Sequence, residues 1–246
     1  MKLLQLNIWE GKLLKEVLAF IDKEKPDILC LQEVYSCTGD IPLPDLMFNS
    51  LELIQQQIGY EYAFFSADFT AIYSEVPASF GIAIVSRFPL EDKQTIFTHG
   101  SYDPNLTAKS HQANTRILQT CKVNLGGKSL SFANHHGHRE LDPLGNEISV
   151  EKMKLVKAKL QELPLPLIFS GDLNIKSESP AMRVFDGFLK DLTAEHNIPS
   201  TLSQFGKAKN VACDHILVSD DIQVMSFNVS EELISDHRAL IMSFDI

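Results

Sequence analysis

Positive charge is in short supply in this 246-residue chain: 22 Lys and Arg stand against 32 Asp and Glu, a formal net charge of −10. A protein that grips nucleic acid by bulk electrostatics needs the opposite balance, so any contact with phosphate is expected to be local. Long apolar runs are missing as well. Residues 1–10 read MKLLQLNIWE, where Gln5, Asn7 and Glu10 break the run, which excludes a secretory leader or a spanning helix there. Cysteine is sparse: Cys30, Cys37, Cys121 and Cys213 show neither C-x-x-C spacing nor a tight framework. A disulfide scaffold is thereby excluded, a reduced, cytoplasmic compartment is expected, and three of the four read as small apolar fillers on strands. Repeats, linkers and low-complexity tracts are absent too. With 44% apolar residues, 1–246 is expected to form a single domain around a sizeable core.

What is present alternates between strand and helix patterns. Lys2–Ile8 reads as a strand, and Lys12–Glu24 as an amphipathic helix on the stripe Leu13, Leu14, Val17, Leu18 and Ile21. Ile28–Gln32 is a nearly all-apolar buried strand whose polar end is Gln32-Glu33. A helix over Met47–Ile58 stops at Gly59, and Tyr60–Ser66 and Phe80–Ser86 read as strands. Thr115–Val123 and Ser129–His135 flank Asn124-Leu-Gly-Gly-Lys128, a hairpin composition. Ser149 is the expected cap of a helix that Met153, Leu155, Val156, Leu160 and Leu163 carry to Pro164. Leu165–Phe169 reads as a buried strand, Pro180 suits the first turn of a helix, and His215–Val218, Val224–Val229 and Ala239–Phe244 read as strands. Strand–helix connections and hairpins in both halves predict a four-layered α/β sandwich, two packed β-sheets flanked by helices. The stretches 35–47, 66–79 and 100–114 are expected to be loops that carry specificity.

The chemistry sits at the ends of the apolar strands. Asn7 stands in Leu-Asn-Ile, Glu33 in Leu-Gln-Glu-Val, and His136 in Ala-Asn-His-His. Asp172 and Asn174 stand in Ser-Gly-Asp-Leu-Asn, Asp214 in Cys-Asp-His-Ile, and Asp236-His237 in Ser-Asp-His. Singly, each has an ordinary explanation as a turn residue, a cap or a solvated strand end. Brought together, they supply carboxylate and amide oxygens suited to Mg²⁺ or Mn²⁺, and two histidines able to pair with phosphate.

In this order, behind Leu-Asn-Ile-Trp and with Gly-Ile-Ala-Ile-Val-Ser-Arg-Phe-Pro between, the set resembles the endonuclease/exonuclease/phosphatase superfamily from residue 4 to residue 241. The resemblance implies a DNase I-like fold with mixed sheets, and Mg²⁺-dependent hydrolysis of a phosphodiester or phosphomonoester by in-line attack of water. It further implies that Asn7 and Glu33, with Asp236, bind metal; that Asp172 orients or deprotonates the water; and that Asn174 hydrogen-bonds the phosphoryl group. Asp214 and His237 are similar to the family's Asp-His pair, and His136 falls where a His or Tyr faces the phosphate. The chain departs from the common Asn-Thr-His-Leu wording with Asn134-His-His-Gly-His-Arg139, which makes His138 and Arg139, with Arg116, candidate substrate contacts.

The same histidines suit a rival, a zinc hydrolase using His136 and His138 as a His-x-His pair, although its other expected ligands are missing from the sequence. A catalytically inert scaffold is disfavoured because Glu33, Asp172 and His237 are all retained. Basic residues near the motifs are few: Lys109, His111, Arg116, Arg139, Lys176 and Arg238. A small or single-stranded phosphorylated substrate is therefore expected before duplex DNA. The alternative is a nuclease of damaged DNA, similar to AP endonucleases or tyrosyl-DNA phosphodiesterase. A lipid or inositol phosphate hydrolase has no lipid anchor to support it. Trp9 has two readings, stacking on a base or lining the pocket against packing beneath the sheet, while Phe64, Phe65 and Phe69 read as core. A monomer with no membrane partner is expected.

Overall fold

The structure, a computed structural model, describes residues 1–37, 46–106, 115–208 and 210–246. Its order begins with β1 (Lys2–Asn7), α1 (Leu14–Glu24), β2 (Ile28–Cys37), α2 (Ser50–Ile58), β3 (Tyr62–Tyr73) and β4 (Val76–Ser86). Next come β5 (Leu90–His99), β6 (Asp103–Leu106), β7 (Arg116–Asn124), β8 (Ser129–His136), α3 (Glu147–Leu160) and β9 (Leu167–Asp172). The chain closes with β10 (Lys190–Asp191), the single turn α4 (Leu192–Glu195), β11 (Asp214–Val218), β12 (Gln223–Val229) and β13 (Leu240–Asp245). Two mixed sheets result, ordered β12-β13-β1-β2-β4-β3-β6 and β10-β11-β9-β8-β7-β5.

Strand alternation explains the layers. Leu3, Ile28 and Cys30 point between the sheets, where they meet Phe132, Ile168 and Ile216. Their neighbours Leu4, Leu29 and Leu31 point outward and pack beneath Val17, Phe20 and Ile21 of α1. On the other outer face, Met153, Val156 and Leu160 of α3 cover Leu118, Phe169 and Leu217. Strands buried on both faces need apolar residues at successive positions, which is why they read as continuous runs. The expected four-layered sandwich is the observed one. No helix among the described residues is long and apolar enough to cross a membrane.

Along the inward face the residue type changes at one end. Leu3 gives way to Gln5 and Asn7, Cys30 to Gln32, Phe132 to Asn134 and His136, Ile168 to Ser170 and Asp172, and Ile216 to Asp214. That end of the inter-sheet layer is where the site forms.

Several elements differ from their sequence expectation. The first helix begins at Leu14 and not Lys12, because a 3₁₀ turn at Trp9–Gly11 with Trp9 and Glu10 at positive φ intervenes. Ser149 is not the cap of α3: Asn146 is, accepting from the amides of Ile148 and Ser149, while the Ser149 hydroxyl accepts from the Asn146 amide. The stretch 66–79 is not a loop but the hairpin end of β3 and β4, paired out to Tyr73 and Val76. Pro180 precedes a 3₁₀ turn, Met182–Phe185, in place of a longer helix. The strand expected over Leu165–Phe169 runs from Leu167 to Asp172, and β5, which alternates poorly in sequence, was not anticipated. Of the other two expected loops, 35–37 belong to β2 and 103–106 to β6, whereas 38–45 and 107–114, with Lys109 and His111, lie outside the described residues. Cys30 of β2 and Cys121 of β7 are buried on strands, as expected, whereas Cys213 is buried just before β11; Phe69 is buried, and Phe64 and Phe65 are partly buried against the core.

Candidate active site

Glu33 owes its position to a β-bulge. Between β2 and β4 the register runs Leu31↔Ala83 and then Val34↔Gly81, so β2 carries one extra residue at Gln32-Glu33. Glu33 takes φ +56 there and leaves the ladder, as bulges beside active sites do. Below it a buried amide network ties the sheets together. Gln5 Nε2 donates to Gln32 Oε1 at 2.8 Å and to Asp214 Oδ1 at 3.0 Å, and Gln32 Nε2 donates to Asn134 Oδ1 at 2.7 Å.

Asp172 ends β9, level with Asp214 of β11 and His136 of β8. Its preceding residue, Gly171, has φ +154, and a Cβ there would overlap the His135 carbonyl oxygen, so the motif requires glycine at this point. Asp172 Oδ1 accepts from the Asn174 amide at 3.0 Å and Oδ2 from Asn7 Nδ2 at 3.1 Å. Two imidazoles approach the same oxygen without bonding it: His237 Nε2 at 3.6 Å and His136 Nε2 at 3.7 Å. Burial pushes the Asp172 carboxyl upward, with the positive field of His237 only partly offsetting it.

The Asp214–His237 pair is closed. His237 Nδ1 and Asp214 Oδ2 lie 2.8 Å apart, and the carboxylate also accepts from Thr201 Oγ1 at 2.6 Å. Burial alone disfavours both charges. Each charge nevertheless outweighs that penalty for its partner, so Asp214 is held below the ordinary carboxylate range and His237 well above the ordinary imidazole value. Ser235 anchors the turn, donating to the Asn7 carbonyl at 2.7 Å and accepting from the His237 amide at 3.2 Å. His136 has the opposite fate: burial, with Arg116, His135 and His237 nearby, lowers it well below its ordinary value and leaves it neutral. His215 of the same Cys-Asp-His-Ile segment is structural, bridging Asp191 Oδ2 at 2.9 Å and the Ile175 carbonyl at 2.8 Å.

Glu33, Arg116, His136, Arg139, Asp172, Asn174, Asp236 and His237 all line one cavity of about 330 Å³. Asn7 and Asp214 sit just behind it, 1% and 0% exposed. His138 is not brought in: it does not line the cavity, its Nε2 lies 3.1 Å from Glu140 Oε1, and its ring packs on His99 at 4.8 Å. The His-x-His pair of the zinc rival is thus divided between the cavity and its outside. Lys176 and Arg238 do not line the cavity either. Trp9 does, at the mouth, stacked on Phe205 at 5.9 Å with the Lys12 ammonium 4.7 Å from its ring centre, and not beneath the sheet. Phe205, Lys12 and Lys207 escaped the sequence reading because loop residues carry no periodicity. Thr201 and Gln5 escaped it because a hydroxyl or amide acquires a partner only when strands distant in sequence meet.

The donor set suits a hard divalent cation. Burial raises the Glu33 carboxyl to about 7, offset only in part by hydrogen bonding from Asn7 and the charge of His237. A cation removes that penalty. Asp172, Cys213, Asp214 and His237 also bring ligand atoms within 4.8 Å of one another. In that group, however, burial pushes the Cys213 thiol up to about 12, and His237 Nδ1 is engaged with Asp214. Among the candidate residues, the carboxylates left lining the cavity belong to Glu33, Asp172 and Asp236, and Glu10 and Glu140 line it as well.

Comparison with known proteins agrees with this geometry. The profile of the endonuclease/exonuclease/phosphatase family matches residues 4–237. No curated protein sequence matches the chain. Among solved structures, a family member from Leptotrichia buccalis superposes with a TM-score of 0.73 at 16% identity, covering 100% of both chains. A mannosyl-6-phosphatase from Bacteroides thetaiotaomicron gives 0.71 at 18% identity, again over 100% of both chains. The catalytic domain of human nocturnin gives 0.68 at 21% identity, covering 100% of this chain and 94% of the other. At these identities the likeness establishes the fold.

Proposed function

This chain belongs to the endonuclease/exonuclease/phosphatase family, and from that premise we propose that it is a Mg²⁺- or Mn²⁺-dependent phosphoesterase acting by in-line attack of water. The observation that carries the reading is the environment of Asp172. Its carboxylate is fixed from below by Asn7 Nδ2 and the Asn174 amide, while His136 and His237 face it from the cavity. A carboxylate so oriented, with a raised proton affinity, aligns a water and takes its proton.

Glu33 and Asp236 would hold the cation, with Asn7 Oδ1, which also accepts from the Trp9 amide at 3.0 Å, completing the oxygen set. Bound there, it supplies Lewis acidity to the phosphoryl oxygens. The chain's own residues do the rest. His237, charged through its pair with Asp214, clamps a phosphoryl oxygen, and Arg116 neutralises another from the cavity wall. Asn174, whose Nδ2 donates to the Gly137 carbonyl at 3.2 Å, keeps its amide beside the same group. His136 is neutral and sits beside Asp172, suited to donate a hydrogen bond from its one N–H to the phosphoryl group or the leaving oxygen.

The cavity fits a small ester or one nucleotide of a single strand. Among the described residues its rim offers one aromatic pair and a few cations, Lys12, Lys207 and Arg139, and not the broad basic face that duplex DNA demands. The test is turnover of bis-p-nitrophenyl phosphate, p-nitrophenyl phosphate, single-stranded DNA, abasic duplex, 5′-tyrosyl DNA, sphingomyelin and inositol phosphates with Mg²⁺, Mn²⁺ or EDTA. Metal-dependent cleavage abolished by EDTA is expected, with the small and single-stranded substrates ahead. EDTA-resistant activity with bound zinc would overturn the assignment.

A further inference from the structure

Phosphate chemistry does not account for the rings at the cavity mouth. Of the large apolar side chains that are exposed among the described residues, Leu141 and Phe205 line the cavity, and of these only Phe205 is a ring. It is 42% exposed, and its inner neighbour is Trp9, 5.9 Å away between centroids with the planes 22° apart. The indole is already engaged: the Lys12 ammonium lies 4.7 Å from its centre and is itself tied to Glu10 Oε2 at 3.4 Å. Trp9 is therefore the backing of the pair, and the surface open to a ligand belongs to Phe205.

Each ring is bonded to the reaction centre through its own backbone. On one side Trp9 and Glu10 take φ +53 and +58, a left-handed conformation that costs any residue with a side chain. The Trp9 amide donates to Asn7 Oδ1 at 3.0 Å, and Asn7 Nδ2 donates to Asp172 Oδ2 at 3.1 Å, so one side chain indexes the indole to the carboxylate that orients water. On the other side Leu202 bridges His237, the Ser203 amide donates to the Asp236 carbonyl at 2.9 Å, and Ser203 Oγ donates to the Ser235 carbonyl at 2.7 Å. The same hydroxyl accepts from the Phe205 amide at 3.2 Å. Two loops distant in sequence, each tied to a different wall of the site, thus bring their rings together at its mouth. A platform fixed in this way before binding loses little freedom when a ligand lies on it.

We propose that Phe205, backed by Trp9, is a stacking subsite for a planar aromatic ring carried by the substrate beside its scissile phosphate. The substrate class is then a ring-bearing phosphoester, the ring being a nucleobase or an aryl group, and Phe205 sets specificity while Trp9 positions it. The inference rests on the phosphoesterase reading of the site and names the class of ester it takes. A planar ring suits the platform because two offset π faces attract beyond the area they bury, a gain that a saturated group does not share.

Trp9 is the chain's single tryptophan, so its fluorescence reports on the pair directly. The test mixes adenosine 5′-monophosphate, phenyl phosphate, ribose 5-phosphate, a hexose 6-phosphate or inorganic phosphate rapidly with the protein in Mg²⁺. Wild type is compared with Phe205→Ala, Phe205→Leu and Phe205→Tyr, and the readouts are Trp9 emission, Kd and the thermal midpoint. In the wild type the two ring-bearing phosphates should change the emission and bind at least about threefold more tightly than the ringless ones, the scale of one stacking contact. Phe205→Ala and Phe205→Leu should remove that margin and leave the Kd of inorganic phosphate and the melting point unchanged, whereas Phe205→Tyr should keep it. A larger margin for the adenosine ligand assigns the ring to a nucleobase and a larger one for phenyl phosphate assigns it to an aryl ester; either upholds the proposal. Equal affinity for ring-bearing and ringless phosphates overturns it, as does a margin that survives Phe205→Leu, or an inorganic phosphate Kd that Phe205→Ala weakens as much as it weakens the adenosine ligand. A hexose 6-phosphate that binds as tightly as the adenosine ligand, with the same dependence on Phe205, overturns it too. Should Phe205→Ala melt far below wild type, the contrast between the Leu and Tyr variants decides. Ring-dependent binding in a protein that turns over no ester would sink the phosphoesterase reading and leave this one standing, and metal-dependent turnover with binding indifferent to the ring would do the reverse.

Discussion

The two sides of the cavity handle charge in opposite ways. On one side Asp214 and His237 are closed into a pair, backed by Thr201 and Gln5, so both charges are satisfied before anything binds. On the other side burial raises the carboxyl of Glu33 to about 7, and that of Asp172 is raised as well. The paired side is finished by folding. The acidic side is completed by what it binds, and its strain is the reason it attracts a cation.

Breaking the paired side should have the largest effect. His237→Ala is expected to lower kcat/KM by ~10³-fold or more, since it removes a clamp made in the transition state. It should also cost about 3 kcal/mol of stability by stranding the Asp214 carboxylate, as read by urea denaturation. Asp172→Asn should lose about as much activity with little loss of stability, because removal of an unpaired buried charge offsets the one amide hydrogen bond, from Asn7 or Asn174, that an asparagine cannot accept. If Asp172→Asn unfolds as readily as His237→Ala, the contrast between the two sides fails.

Glu33→Gln sharpens the acidic side. Mn²⁺ affinity by calorimetry should fall at least about tenfold, while the metal-free protein should melt no lower than wild type. The pH dependence follows from the sign of the shift. A carboxyl raised from 4.5 to about 7 on folding binds more protons in the folded than in the unfolded state across that interval. Stability of the metal-free protein therefore falls as pH rises through it. Melting in EDTA at pH 5 and pH 8 should show the drop, Mg²⁺ should reverse it at pH 8, and Glu33→Gln should reduce it. His237 runs the same way at higher pH: its raised value contributes stability that is fully present below its unfolded value of 6.5 and is lost as pH climbs through the folded one. The alkaline limit of activity is expected to follow that loss. The smallest effect belongs to the rim, where Phe205→Ala should raise KM for aryl or nucleotide esters by a few fold, on the order of one lost stacking contact, and leave kcat alone.

Much of this was legible in the linear chain. Continuous apolar runs at Ile28–Leu31 and Leu167–Phe169 marked strands buried on two faces, and polar residues at strand ends marked the site, with His138 the one candidate outside the cavity or its immediate backing. Where the reading failed, the cause was local chemistry that two positions could satisfy, or pairing across distance. Asn146 and Ser149 both make good caps, and the capping box uses both while beginning the helix at the first. The hairpin across 66–79 exists because β3 and β4 pair beyond the range that alternation covers.

Composition, order and spacing alone determined the layer architecture, the excluded classes and the residue types available for phosphate chemistry, because burial periodicity and ligand hardness are properties of the chain itself. Only the tertiary structure decided the charge state of each group. Identical side chains diverge once buried: His237 is charged against Asp214 while His136 is neutral beside Arg116. Desolvation and the direction of the nearest charge are properties of the assembled layers, and no linear spacing encodes them.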